Sequence, residues 1–153
     1  MTVLDSRNDR KRIANVMRAN RSRDTGPEMA LRRALAAAGV RGYRLHWVKA
    51  PGRPDVAWPG RRVAVFVHGC FWHRCPACSP PLPKSNAEFW EQKFRRTAAR
   101  DLKDRRSLEQ RGWTVLVFWE CQIRENVGDA VNSIAQTILA ADARTDKHVP
   151  PAG

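Results

Sequence analysis

The chain has 153 residues, one domain's length and enough to bury a hydrophobic core unaided. Lys and Arg outnumber Asp and Glu 28 to 15, a formal charge of +13, so a polyanionic partner is expected, nucleic acid ahead of an anionic membrane surface. No apolar run approaches the ~18 residues of a membrane span and residues 1–20 are polar, which argues against a transmembrane helix or signal peptide and for a cytoplasmic protein.

Residues 7–23 hold seven Arg or Lys and one acid, Asp9. Two readings stay open: a solvated, frayed terminus, or an arm whose Arg18, Arg21 and Arg23 lie along a phosphate backbone and order on binding. Thr25-Gly-Pro-Glu28 then predicts a helix start, with Thr25 as cap, Pro27 in the first turn and Glu28 completing a capping box. Met29, Leu31, Leu35 and Ala38 form the expected buried stripe, and Gly39 the stop.

Tyr43 to Val48 reads as a strand, and Asp55 to Trp58 as a second after the Pro51-Gly-Arg-Pro54 turn. Pro59-Gly60 reads as a hairpin turn and Arg62 to Val67 as a third strand. That third strand is nearly all apolar, which predicts a central position covered on both faces. After a cysteine-rich loop and the Pro-rich stretch 79–83, a helix is expected from Asn86 to Gln110, with Trp90, Phe94, Ala98 and Leu108 at helical intervals and Gly112 ending it. Trp113 to Trp119 reads as another buried strand that delivers Glu120 and Cys121 at its end. Val127, Val131, Ile134 and Ile138 mark a closing helix. The expected organisation is a basic arm over 1–23, one α/β domain over 24–141 built on a small mixed sheet flanked by helices, and a disordered tail over 142–153.

The densest chemistry lies between His68 and Cys78: His-Gly-Cys-Phe-Trp-His-Arg-Cys-Pro-Ala-Cys. In a reducing compartment, the spacing of Cys70, Cys75 and Cys78 favours zinc over disulfides. Cys121, at the end of a separate strand, is the expected fourth ligand; His73 in its place, with Cys121 a buried free thiol, stays open. Asp55, at a strand start opposite the carboxyl end of the next strand, suits a hard cation such as Mg²⁺ with help from a backbone carbonyl. His68 and His73 just past that strand suit the activation of a water for attack on phosphorus. Phe71 and Trp72 are adjacent in a braced loop with little room for both, so at least one is expected to project and stack on bases, with Trp90 as a further candidate.

Met17-Arg-Ala, Arg23-Asp-Thr, Pro51-Gly-Arg-Pro-Asp55, Phe66-Val-His-Gly-Cys-Phe-Trp-His73, Glu88-Phe-Trp90, Arg100-Asp101, Gly112-Trp113 and Trp119-Glu-Cys121 together resemble the very-short-patch mismatch-repair endonucleases of bacteria. The resemblance implies a restriction-endonuclease-like α/β fold with a structural zinc. It also implies Mg²⁺-dependent nicking of duplex DNA 5′ of the thymine in a T:G mismatch left by deamination of 5-methylcytosine. By that likeness Asp55 and the Val67 carbonyl hold Mg²⁺, His73 is the general base, Asp101 orients it, and His68 and Glu28 support the site. Phe71, Trp72 and Trp90 become an aromatic wedge beside the mismatch.

Two features qualify the match. Cys75 stands where the family often has a zinc-binding histidine, and an inserted Pro-Ala sets Cys78 later, which points to an all-cysteine site. The acid-x-Lys half of the wider nuclease signature is replaced by His68 and His73. The implied partner is duplex DNA with a T:G mismatch, met by a monomer acting at the nucleoid, with mismatch-repair proteins left open. A zinc-stapled DNA-binding module without catalysis and a restriction-type nuclease of other specificity remain as alternatives.

Overall fold

The computed structural model describes residues 10–14, which are helical, and 23–146. Arg18 and Arg21 lie outside the described residues, as does the chain beyond 146. Among the described residues no helix is long and apolar enough to cross a membrane.

Helix α1 (Gly26–Ala37) begins as its sequence dictates: Thr25 is extended, and its hydroxyl accepts the Glu28 N–H at 3.4 Å. Glu28, Leu31 and Leu35 share the inward face at helical spacing and are buried. Ala38, expected on that stripe, is instead the exposed C-cap, one residue past the last packed turn. Gly39 follows at φ +73, and the Val40 N–H returns to the Leu35 carbonyl at 2.9 Å, a left-handed stop that favours glycine.

Strands β1 (Arg44–Leu45), β2 (Val56–Trp58), β3 (Val63–His68) and β4 (Thr114–Trp119) form one sheet in that order. The first two pairings are antiparallel and β3–β4 is parallel. The strand expected over Tyr43–Val48 shrinks to two residues because His46 takes φ +47 and turns the chain out of the pleat. Pairing survives beyond it only as two isolated bonds, His46 N–H to Asp55 O and Trp47 N–H to Pro54 O.

As its apolar sequence predicts, β3 is central and covered on both faces. Val63, Val65 and Val67 pack with Leu31 and Leu35 of α1 and with Ile123, Val131, Ile134 and Ile138 of the last helix. Ala64 packs on the opposite side with Leu108 and Val115, where Phe66 joins them. By the two-residue period, His68 belongs to this second face. β4 occupies an edge, so only Val115 is buried, and the expectation of a buried strand fails for want of a neighbour on its outer side.

Helix α2 (Ala87–Gln110) carries the chain from β3 to β4 and buries Trp90, Phe94 and Leu108. Ala98, expected with them, is exposed and lines a cleft. Helix α3 (Glu120–Asp146) starts directly after β4, so Glu120 and Cys121 sit in its first turn. A break at Asn126 (φ −156, ψ 89) divides α3, and its helical residues extend through 142–146, the first part of the stretch assigned to the tail.

The Pro51-Gly-Arg-Pro54 turn is locked to α2 through Gly52. That residue has φ +75, and a β-carbon there would lie 3.0 Å from Asp104 Cβ and 3.1 Å from the Phe66 ring. Gly52→Ala is therefore expected to destabilise the fold by more than the ~1 kcal/mol of left-handed strain alone. Thermal melts read this against Gly60→Ala, whose β-carbon would meet nothing within 4 Å and should leave Tm nearly unchanged.

Candidate active site

The carboxyl ends of β3 and β4, the head of α1 and the middle of α2 enclose a cleft of about 1140 Å³. Its wall includes Glu28, Asp55, Val67, His68, His73 and Asp101, so the five expected catalytic side chains share one space. Phe71, Trp72 and Arg23 line it as well.

Asp55 lies just ahead of β2 and accepts the Val67 N–H at 2.7 Å through Oδ2. Burial and the neighbouring Glu28 carboxylate push Asp55 up to about 7, against the pull of the Val67 N–H and of Arg32. A buried and a half-buried carboxylate side by side repel one another unless a proton or a cation is shared between them, so this donor set can also hold a hard divalent metal. Glu28 caps α1 and also faces the site: Thr25 donates to its Oε1 at 3.3 Å and the Asp24 N–H to its Oε2 at 3.1 Å. The capping box reaches one residue further back than its usual backbone N–H, which leaves the carboxylate turned toward Asp55.

His68 and His73 stack with ring centroids 3.9 Å apart and planes 8° from parallel. Burial and the adjacent His73 push His68 down to about 4, with Asp101 opposing, so His68 is neutral at physiological pH. His73 Nδ1 lies 2.5 Å from Asp101 Oδ2, a charge-assisted pairing between the loop and α2. A carboxylate only accepts, so Nδ1 is the donor in this pair, and in the neutral ring Nε2 is the nitrogen that can take a proton. Asp101 reaches His73 because its turn of α2 faces the cleft rather than solvent.

The loop's cysteines gather with Cys121, Cys70 also reaching the cleft wall. Ligand atoms of Cys70, Cys75, Cys78 and Cys121 all lie within 4.8 Å of one another, and the thiols are free. Two of the sulfur pairs, Cys75–Cys121 and Cys70–Cys78, are each separated by 3.8 Å. Zn–S bonds of about 2.3 Å at tetrahedral angles set sulfurs about 3.8 Å apart, whereas a disulfide needs about 2.05 Å. Hydrogen bonding to Cys121 and Cys70 pushes the Cys78 thiol up to about 12. Four sulfurs this close resist holding several thiolates unless a cation neutralises them. His73, the alternative fourth ligand, is engaged by Asp101 instead.

Phe71 and Trp72 are half-buried and meet edge to face at 5.1 Å. Trp90 lies beneath them, 5.7 Å from each ring and only 3 % exposed. Placed so, Trp90 is the floor of an aromatic cluster and not a projecting ring, because α2 turns it inward with Phe94. Arg74, which had no sequence signal, stacks its guanidinium 4.5 Å over Phe94 and donates to the Pro80 carbonyl. Arg32 and His46 were also missed. The spacing of Glu28 and Arg32, four apart on a helix, was a readable hint; His46 offered none.

A family model described as DNA mismatch endonuclease Vsr matches residues 4–78. DNA mismatch endonuclease Vsr of Escherichia coli (strain K12) is 38% identical over 108 residues, 71% of this chain and 69% of that protein. Type II nicking enzyme V.XorIIP of Xanthomonas oryzae pv. oryzae is 41% identical over 110 residues, 72% of this chain and 80% of its own length. Type II nicking enzyme V.NaeI of Lentzea aerocolonigenes is 41% identical over 127 residues, 80% of this chain and 74% of its own.

The sulfur geometry leads to a direct test of the ligand set. Cys121→Ser is expected to lose bound zinc and soluble, folded protein together, since a structural site contributes its binding energy to folding. Metal analysis and circular dichroism check it; a variant that still holds one zinc per chain would show that Cys121 is not a ligand.

Proposed function

The chain belongs to the Vsr family of DNA mismatch endonucleases, and from that premise we propose that it nicks duplex DNA 5′ of the thymine in a T:G mismatch by Mg²⁺-dependent hydrolysis. The observation that carries the reading is the shared cleft: a histidine held by Asp101 on one side and the Asp55–Glu28 carboxylate pair on the other.

Asp55 and the Val67 carbonyl would hold Mg²⁺, with Glu28 beside them. When bound, the ion supplies positive charge to the phosphate as negative charge builds on it. His73 takes a proton from the attacking water at Nε2, and Asp101 stabilises the imidazolium that results. Neutral His68, stacked on His73, keeps a second positive charge away from that ring and leaves an N–H to donate toward the phosphate. The zinc reading assigns Cys70, Cys75, Cys78 and Cys121 no chemistry; they tie the catalytic loop to the start of α3.

Phe71 and Trp72, supported by Trp90, would enter the base stack beside the mismatch, where opening a step costs less than at a paired one. Arg23, at the cleft wall, would contact the backbone, joined by Arg18 and Arg21 of the arm.

A supercoiled or linear duplex holding a single T:G mismatch is expected to be cut on the thymine strand only, with Mg²⁺ and not without it. Asp55→Asn should lower the rate at least a hundredfold, by analogy with other groups that stabilise developing charge, while leaving DNA affinity within a few-fold. Binding without scission, or double-strand cutting of a fully paired control, would overturn the reading.

The carboxylate pair also leaves a pH signature. Asp55 titrates near 7 when folded and near 3.8 otherwise, so its ionisation favours unfolding: stability is lost as pH rises from about 4 to about 7. Asp55→Asn is therefore expected to gain in Tm relative to the parent over that window in Mg²⁺-free buffer, and the gap should stay constant above it. Added Mg²⁺ should stabilise the parent and not the variant.

A further inference from the structure

Glu28 has more partners than a helix cap requires. Beyond Thr25 and the Asp24 N–H, its Oε2 accepts from Arg32 Nη2 at 3.2 Å. Arg32 is itself held: Nη1 donates to Asp24 Oδ1 at 2.8 Å, and Nη2 lies 3.0 Å from His46 Nε2. His46 Nε2 also lies 3.3 Å from Asp24 Oδ1, so one ring nitrogen stands between the guanidinium and the carboxylate that Arg32 holds. The Arg32 side chain is 12 % exposed and the Glu28 side chain 4 %, so the contact is shielded from solvent and from salt.

Asp24, Glu28 and His46 bring ligand atoms within 4.8 Å of one another, a spacing that would suit a metal. The Arg32 guanidinium bonds to Asp24 and Glu28 and lies against His46, and a divalent cation among them would meet its charge. The cluster is thus a clamp closed by an arginine. It stands beside the carboxylate pair, since Glu28 belongs to both.

We propose that Arg32, fixed by Asp24 and His46, is a positioning residue for the nicking reaction: it locks the Glu28 carboxylate in the orientation that faces Asp55. The inference rests on the nuclease reading above. Glu28 and Asp55 line the same cleft, and two carboxylates brought together favour separation unless a proton or a cation is shared between them. Arg32, outside the cleft wall, holds Glu28 Oε2 and offsets part of the charge, so the two carboxylates stay convergent on one cation. Lysine in its place would keep the charge and lose the fork that bonds Glu28 and Asp24 together.

Arg32→Met, Arg32→Lys and His46→Phe are compared with the parent by steady-state nicking of the T:G duplex and by Mn²⁺ titration followed by electron paramagnetic resonance. Arg32→Met is expected to lower kcat and weaken Mn²⁺ binding about tenfold each, the usual scale for losing a group that orients a metal ligand. KM for the duplex should change less than about twofold, and Arg32→Lys should recover part of both losses. Mn²⁺ affinity and kcat within twofold of the parent would overturn the proposal, as would a loss of duplex affinity that accounts for the whole defect, which would make Arg32 a phosphate contact. If Arg32→Met does not fold, His46→Phe and Arg32→Lys decide: parental Mn²⁺ affinity in both refutes the clamp. A parent that binds Mn²⁺ without nicking would instead refute the nuclease reading, while the Mn²⁺ affinities still judge Arg32.

Discussion

The parallel pairing of β3 with β4 is the constraint on which the rest depends. Its register sets His68 opposite Trp119, so two strands remote in sequence end at the same level. Past one end the chain carries the cysteine loop, and past the other Cys121 in the first turn of α3. A slip of one residue would exchange the faces of β3, turning Val63, Val65 and Val67 toward α2 and His68 away from Asp101. The apolar packing of both layers thereby holds the register that the cleft requires.

On that frame the electrostatics run against the overall charge. A chain of net charge +13 concentrates acids in its cleft, with Glu28, Asp55 and Asp101 on one wall or another. The basic excess suits a polyanionic partner at the surface, while acids gathered in the cleft are groups that could hold a cation there. The cost is visible in Asp55, whose carboxyl is raised to about 7 by burial and by Glu28. Arg32 moderates it from behind without entering the cleft wall.

The segment from His68 to Cys78 divides its labour by direction. Its cysteines turn to Cys121, its histidines to Asp101 and the cleft, and its two rings to Trp90 and Phe94. One short loop thus joins β3, α2 and α3. Changes to any of its three residue types should therefore be felt by the others through the backbone they share.

Much of this was legible in the residues. The α1 start at Thr25, the buried β3, the long α2 and the grouping of four cysteines follow from local rules: capping, apolar runs, helical period and ligand chemistry. Edge effects were not legible. β4 is as apolar as β3, and only its place in the sheet order exposes it; β1 looked six residues long until the positive φ of His46 ended it. Nor could spacing assign Trp90 to the floor of the aromatic cluster, or bring Asp24, Arg32 and His46 around Glu28. The sequence by itself determined which elements form and which residue types are available for chemistry, because those follow from interactions between near neighbours. Only the tertiary structure decided which of them meet, because the distances among Asp55, Glu28, His73 and Asp101 are set by how the sheet and helices pack.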